Sequence, residues 1–176
     1  MTYVVRAPRV GDAMQIGALR NHVWRVAYAG LVPKDFLDQL DDVRAAAVWH
    51  ARLEETNGRG VDHRRQTLRV AVEVETDHIV GVAVCAATRT ETGPAPLEMK
   101  LLNVHPEHLG EGLGRRLLAV LTASRDCWMW VIDSNTPAQL FLRRNGFQRT
   151  DARRQHAETG VPEVLMVRRE WEAPGL

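Results

Sequence analysis

The residues best placed to do chemistry lie in Leu109-Gly110-Glu111-Gly112-Leu113-Gly114-Arg115-Arg116, between an apolar strand-like run and Leu113, Leu117, Val120 and Leu121 at helical spacing. Glycines at alternate positions let the backbone turn tightly and leave its N–H groups uncovered. A helix beginning near Gly112 adds unpaired amides and the positive end of its dipole, so the loop can cradle an anionic oxygen, most naturally that of a phosphate. Two familiar nucleotide loops are excluded. Gly114 is followed by Arg115 and Arg116 where a Walker loop needs Lys-Ser/Thr, and Arg115 occupies the place of the third glycine of a dinucleotide fingerprint.

The elements that must position this loop can be read in order. Tyr3-Val4-Val5-Arg6 is a short β-prone opening, and Asp12 with Gln15 three residues on offers a capped first helix on which Ile16, Leu19, Val23 and Val26 trace one face. Gly30-Leu31-Val32-Pro33 breaks the chain before short helices at 34–40 and 42–53. The polar stretch 54–66, with His63-Arg64-Arg65, reads as a surface loop. Valine-rich runs at 68–75 and 79–88 form a hairpin in which Gly81 marks a bulge or a close approach. A strand at 97–104 leads through the glycine loop to a helix at 112–124. Cys127-Trp128-Met129-Trp130-Val131-Ile132 is too continuously apolar for a half-exposed strand and belongs inside the sheet. Thr136 caps and Pro137 starts the next helix, Asn145-Gly146 ends it, and two last strands follow, the second at 164–169, with fraying past Trp171. The order predicts an α+β fold: a mixed, mostly antiparallel sheet of about seven strands with helices on both faces.

Three stretches in this order resemble successive motifs of the GNAT superfamily of N-acetyltransferases: Glu98-Met99-Lys100-Leu101-Leu102-Asn103-Val104-His105-Pro106-Glu107, then Leu109 to Gly114, then Asn135-Thr136-Pro137-Ala138-Gln139-Leu140-Phe141-Leu142-Arg143-Arg144-Asn145-Gly146-Phe147. The resemblance implies a sheet splayed between its fourth and fifth strands, with the pantetheine arm of acetyl-coenzyme A in the gap. It implies pyrophosphate contacts from the N–H groups of Glu111, Gly112, Gly114 and Arg115, with Leu109 and Gly110 in the same cofactor-binding loop, a backbone donor to the thioester carbonyl near Leu102 to Val104, and cofactor contacts from Asn135 and Phe141. Leu109 stands where the family usually has Gln or Arg, and Leu142 where many members have a tyrosine that protonates the departing sulfur. Since a coenzyme A thiolate is a fairly good leaving group, either no acid is needed or water, Ser134 or Tyr28 supplies that proton. Glu98 matches the position of a frequent general base; a surface carboxylate at a strand end is the plainer alternative. His105 is a rival base by its neutral-range chemistry, though its Val-His-Pro turn resembles family scaffold, and His108 falls nearer the phosphates. Trp24-x-x-x-Tyr28-x-Gly30-Leu31-x-Pro33 resembles the acceptor side of one subgroup, and the two aromatics read equally as substrate-binding or as packing residues.

Composition bounds the rest. A chain of 176 residues suits a single domain, 1–176, that needs no staples, and a net charge of +1 gives no field for nucleic acid or an anionic membrane. Cys85 and Cys127 sit in apolar runs without a CxxC or Cys/His spacing, so they read as buried thiols and no metal is expected. Nothing at the amino terminus resembles a signal peptide and no apolar run is long enough to span a bilayer, so a cytoplasmic protein is expected. The expected activity is acetyl transfer from acetyl-coenzyme A to a small-molecule or peptide amine by direct attack, with a homodimer left open. The alternative is an acyl-coenzyme A binding module without turnover. A modest lean toward a cationic acceptor rests on Glu98 and Asp133.

Overall fold

The computed structural model describes residues 1–56, 66–88 and 93–169. His63-Arg64-Arg65, the start of the loop at 89–96 and the chain end past Arg169 lie outside the described residues. Seven strands, β1 (Tyr3–Arg6), β2 (Gln66–Glu73), β3 (Ile79–Ala87), β4 (Leu97–Val104), β5 (Cys127–Ile132), β6 (Gln148–Gln155) and β7 (Pro162–Arg168), form one sheet in the order β1-β2-β3-β4-β5-β7-β6. Every neighbouring pair is antiparallel except β4–β5, which is parallel. The helices are α1 (Ala13–Ala27), α2 (Lys34–Asp38), α3 (Asp42–Glu55), α4 (Leu113–Thr122) and α5 (Thr136–Arg144). This is the mixed, helix-flanked sheet that the sequence predicts, with β5 in its interior.

The two faces bury different clusters. Leu113, Leu117 and Leu118 of α4 and Leu142 of α5 pack with Met99, Val131, Val164 and Met166 on one face. On the other, Ile16 and Leu19 of α1 and Trp49 and Leu53 of α3 cover Leu68, Val82 and Val84. Each fully buried aliphatic side chain contributes about 1.5–3 kcal/mol to the fold. Gly81 serves both roles expected of it: the β2–β3 register shifts beside it, and a Cβ there would lie 3.0 Å from Leu117 Cδ1.

The feature that shapes the site is a bulge in β4. Met99 pairs with Cys85 and Leu101 with Val84, so Lys100 is an extra residue without an opposite number. It resets the alternation of the strand: Leu97 and Met99 face the α4 cluster before it, Leu102 and Val104 after it. At the same point β4 leaves β5, because their ladder holds only Leu97↔Cys127 and Glu98↔Trp128. From Met99 onward the edge of β4 toward β5 is free of ladder partners, which is the predicted splay.

Two capping expectations are corrected. The Asp12 carboxylate does not cap α1; it takes the Arg6 guanidinium (3.0 Å to Nη2) and the Arg9 N–H (2.7 Å). Burial alone would raise that carboxyl, but these donors outweigh it and hold it below its ordinary range. The cap of α5 is Asn135 rather than Thr136, its Oδ1 accepting from the Ala138 N–H at 3.1 Å. In both places a short polar side chain bonds a nearby backbone N–H, Asp12 reaching back to Arg9 and Asn135 forward to Ala138.

Candidate functional site

The loop between β4 and α4 has the backbone its glycines predict. Gly110 and Gly112 hold φ of 89° and 79°, a region that penalises any side chain, and Gly112 is the N-cap of α4. The first bond closing the helix runs from the Arg116 N–H to the Gly112 carbonyl at 3.0 Å. The amides of Gly112, Leu113, Gly114 and Arg115 are therefore the unpaired donors of the helix start, Leu113 being one the sequence reading omits. Gly114 answers a different demand: a Cβ there would meet Phe141 Cζ at 3.1 Å and Val104 Cγ2 at 3.8 Å. Phe141 of α5 and Val104 at the end of β4 thus close around the first turn of α4. Leu102 is half-buried on the same side. Leu109 is 67% exposed and brings no polar atom from its side chain. No described residue pairs with the exposed Arg115 side chain, whereas Arg116 turns away to donate to the Tyr3 carbonyl at 2.7 Å. The result is a set of amides and one cation facing outward, suited to a phosphate.

Side chains tie this loop to β1. The Tyr3 hydroxyl and His108 Nδ1 are 3.0 Å apart, and His108 Nδ1 lies 3.4 Å from Glu111 Oε2. The Glu111 contact is the main cause that pushes the Tyr3 phenol up to about 12, and Tyr3 in turn holds the Glu111 carboxyl below its ordinary value. His105 caps the 3-10 turn at Pro106–His108, its Nδ1 accepting from the Glu107 N–H, while its ring stacks on His22 at 4.7 Å. Burial first, then the neighbouring His22, lower its pKa, partly opposed by Glu107. These are the contacts of a scaffold residue. None of Tyr3, His22 or the role of His108 is legible in the sequence, because their separations along the chain carry no motif.

Glu98 stands at the mouth of the splay, in the last ladder pair before the strands part. It is 7% exposed and ion-paired with Lys100, whose projection follows from the bulge. Asp133, just past β5, is held by Arg149 at 2.8 Å and Arg153 at 3.9 Å. Both carboxylates behind the lean toward a cationic acceptor are thus neutralised by neighbours, and that support falls away.

At the far end of β5 the expected acceptor aromatics come together with a cofactor-side residue. Trp24 and Tyr28 stack at 4.5 Å and 17°, with Phe36 and His156 against Trp24 at 5.2 and 5.6 Å. Asn135, buried at the start of α5, lies near enough to the Tyr28 hydroxyl to favour its ionised form slightly. Burial, then the charge of Glu163, raise the Tyr28 phenol, so it keeps its proton. Leu142, 2% exposed, lies in the cluster that includes Met99 and Val131 from the strands either side of the splay, and it carries no proton to give. Cys85 and Cys127 are buried free thiols pushed up to about 11 and about 12 by desolvation, which removes them as nucleophiles. Among the described residues no His, Cys, Asp and Glu group is arranged to hold a metal ion, and no helix is long and apolar enough to cross a membrane.

Comparison with known proteins agrees with this geometry. Residues 65–149 match the acetyltransferase (GNAT) domain family. The L-amino acid N-acyltransferase MnaT of Escherichia coli (strain K12) is 31% identical over 149 residues, covering 80% of this chain and 76% of that protein. The chain belongs to the GNAT acetyltransferase family. Solved GNAT structures share its fold at low identity. PaiA N-acetyltransferase from Thermoplasma acidophilum, in complex with coenzyme A, superposes with a TM-score of 0.73 at 14% identity over 96% of this chain and 99% of that one. YncA, described as a putative acetyltransferase, from Salmonella typhimurium with acetyl-coenzyme A gives 0.64 at 18% identity over 100% and 98%. The parallel, splayed β4–β5 pair of this GNAT chain is the topology of that fold.

Proposed function

We propose that this chain, as a single domain over 1–176, transfers an acetyl group from acetyl-coenzyme A to a primary amine by direct attack in a ternary complex. The observation that carries the reading is the outward-facing amide set at the start of α4, standing at the end of a strand that parts from β5 immediately after Glu98. The amides of Gly112, Leu113, Gly114 and Arg115, with the Arg115 guanidinium, would bind the pyrophosphate. The free edge of β4 from Leu102 to Val104 offers backbone groups to the pantetheine arm and an N–H to the thioester carbonyl, where negative charge grows as nitrogen adds to carbon. Glu98 would take the ammonium proton through water before attack; as the tetrahedral adduct collapses the C–S bond breaks and nitrogen gives up its second proton to water, leaving an amide and a thiolate. Tyr28, held protonated chiefly by burial, is the candidate to return a proton to sulfur. Trp24 and Tyr28 would wall the acceptor. The Escherichia coli relative is named for L-amino acids, which makes these the first acceptors to test.

Leu142 favours a second reading, a binding module without turnover, because its place at the splay has no acid. Thermal unfolding with acetyl-coenzyme A, and with ATP as control, tests the shared part of both. At about a hundred times the dissociation constant a ligand adds roughly 2.7 kcal/mol, a rise on the order of 5–10 °C. Acceptor-dependent release of free thiol then establishes transfer, and stabilisation without release under an amine screen establishes the binding module.

A further inference from the structure

One arginine near the cleft is built differently from the rest. Arg154 of β6 lies opposite Glu163 of β7, and its Nε donates to Glu163 Oε2 at 2.6 Å. Its guanidinium carbon also lies 4.5 Å from the ring centroid of Trp130 on β5. Since β6 is two strands from β5, about 10 Å at ordinary strand spacing, the side chain reaches back across β7 toward the splay. It does so on the face that carries Trp128, Leu165 and Val167, beyond the strands that α1 and α3 cover. The Glu163 side chain is 6% exposed and that of Arg154 47% exposed, so the anchor is buried and the head is open. Among the described residues nothing accepts from the Nη1 and Nη2 groups of Arg154. Arg149, by contrast, is taken up by Asp133 and Gln139, and Arg153 has only a long 3.9 Å ion pair to Asp133, with neither a buried anchor nor a ring beneath it among the described residues. The cluster also borders the proposed acceptor wall, because Glu163 pairs with Ile132 at the end of β5 and Ile132 packs with Trp24 and Tyr28.

We infer that Arg154, laid on Trp130 and anchored by Glu163, binds a carboxylate of the acceptor, so that the substrate is an amine carrying a carboxylate, such as an α-amino acid. The inference rests on the acetyl-transfer reading above and deepens it. A guanidinium fork fixed at Nε and flattened on an indole keeps two parallel N–H groups in the geometry a carboxylate matches, with little side-chain entropy left to lose. Glu163 holds the fork in place, and the ammonium of a zwitterionic acceptor offsets the added negative charge.

The test uses the full chain with acetyl-coenzyme A and compares thiol release with L-phenylalanine against 2-phenylethylamine, and with L-leucine against 3-methylbutylamine. The expected result is kcat/KM at least about 10-fold higher for the carboxylated member of a pair, the scale of hydrogen bonds to a charged group. Arg154→Gln should raise the amino-acid KM by about 10- to 100-fold with kcat nearly unchanged, leave the plain amine as it was, and so erase the preference. Arg154→Lys should restore only part of it. The double variant Arg154→Gln with Glu163→Gln removes the fork without stranding a buried carboxylate, and acetyl-coenzyme A must still raise its unfolding temperature. Turnover that prefers the plain amines, or that ignores Arg154, overturns the inference and leaves acetyl transfer standing. Stabilisation by acetyl-coenzyme A with no thiol release from any amine overturns both.

Discussion

The two ends of the cleft are made of different material. At the start of α4 the groups offered to a ligand are backbone amides, set by two left-handed glycines and a helix N-terminus, and the nearby side chains mostly hold the loop in place. Beyond β5 the chemistry belongs to side chains, the buried Trp24, the half-buried Tyr28 and Trp130, and the open head of Arg154, brought together from the end of α1, β5 and β6. A backbone site tolerates changes at every position except where a glycine is needed; a side-chain site changes its ligand with almost any substitution. A conserved donor at one end and a variable acceptor at the other is what that difference allows.

Glu98, at the junction of the two ends, should give the largest effect. Glu98→Gln keeps the shape and hydrogen-bonding reach toward Lys100 but cannot take a proton, so kcat/KM should fall by about 10²- to 10⁴-fold near neutral pH. The rise in unfolding temperature with acetyl-coenzyme A should persist. Rates within a few-fold of the parent would remove Glu98 from the base role.

Gly114→Val tests the backbone end. Its Cβ would enter the 3.1 Å space before Phe141, and the branched methyls would push the ring or tilt the first turn of α4. Affinity for acetyl-coenzyme A should drop by about 10²-fold, enough to cut a stabilisation of roughly 2.7 kcal/mol to about 0.4 kcal/mol at the same ligand concentration. Adding Phe141→Leu should recover part of it. If Gly114→Val binds as the parent does, the turn is not the cradle. On the acceptor side Tyr28→Phe is gentler, since the stack on Trp24 survives and only the hydroxyl is lost. An increase of about 3- to 10-fold in acceptor KM with normal cofactor affinity marks a binding role. A fall in kcat instead, measured with a saturating acceptor, marks Tyr28 as the proton donor to sulfur.

The same contrast explains what the sequence discloses. Glycine spacing, helix phase and strand composition are local, so the cradle, β4, β5 and α4 can be read directly from residues 97–132. The splay is expected from resemblance, yet its cause, the extra residue Lys100, is invisible without the register of β3. Arg154 is anonymous among the arginines of β6 until the sheet order places Trp130 two strands away. The pairing of Asp133 with Arg149 and Arg153 likewise depends on β6 lying beyond β5 and β7, which no periodicity reports. Long-range partners, rather than element types, are what the sequence withholds.

The smallest effect asks whether the amide cradle is as indifferent to side chains as it looks. His105 caps the turn that feeds the glycine loop, and burial together with His22 lowers its pKa in the folded chain. Below the ordinary histidine value of 6.5 the unfolded chain takes up a proton that the folded one resists, so the contribution is full at higher pH and is lost as pH falls through that window. His105→Asn keeps an acceptor for the Glu107 N–H but removes both the titration and the stack on His22. Between about pH 6.5 and 5.5 the parent should lose slightly more unfolding temperature than the variant, on the order of 1 °C, since solvent screens much of the interaction. Acetyl-coenzyme A affinity followed over the same range separates two outcomes. If it falls with the parent's stability and not in the variant, the loop is held by its side-chain ties and the backbone site has a weak point. If affinity is flat in both, the glycines and the start of α4 keep the cradle by themselves.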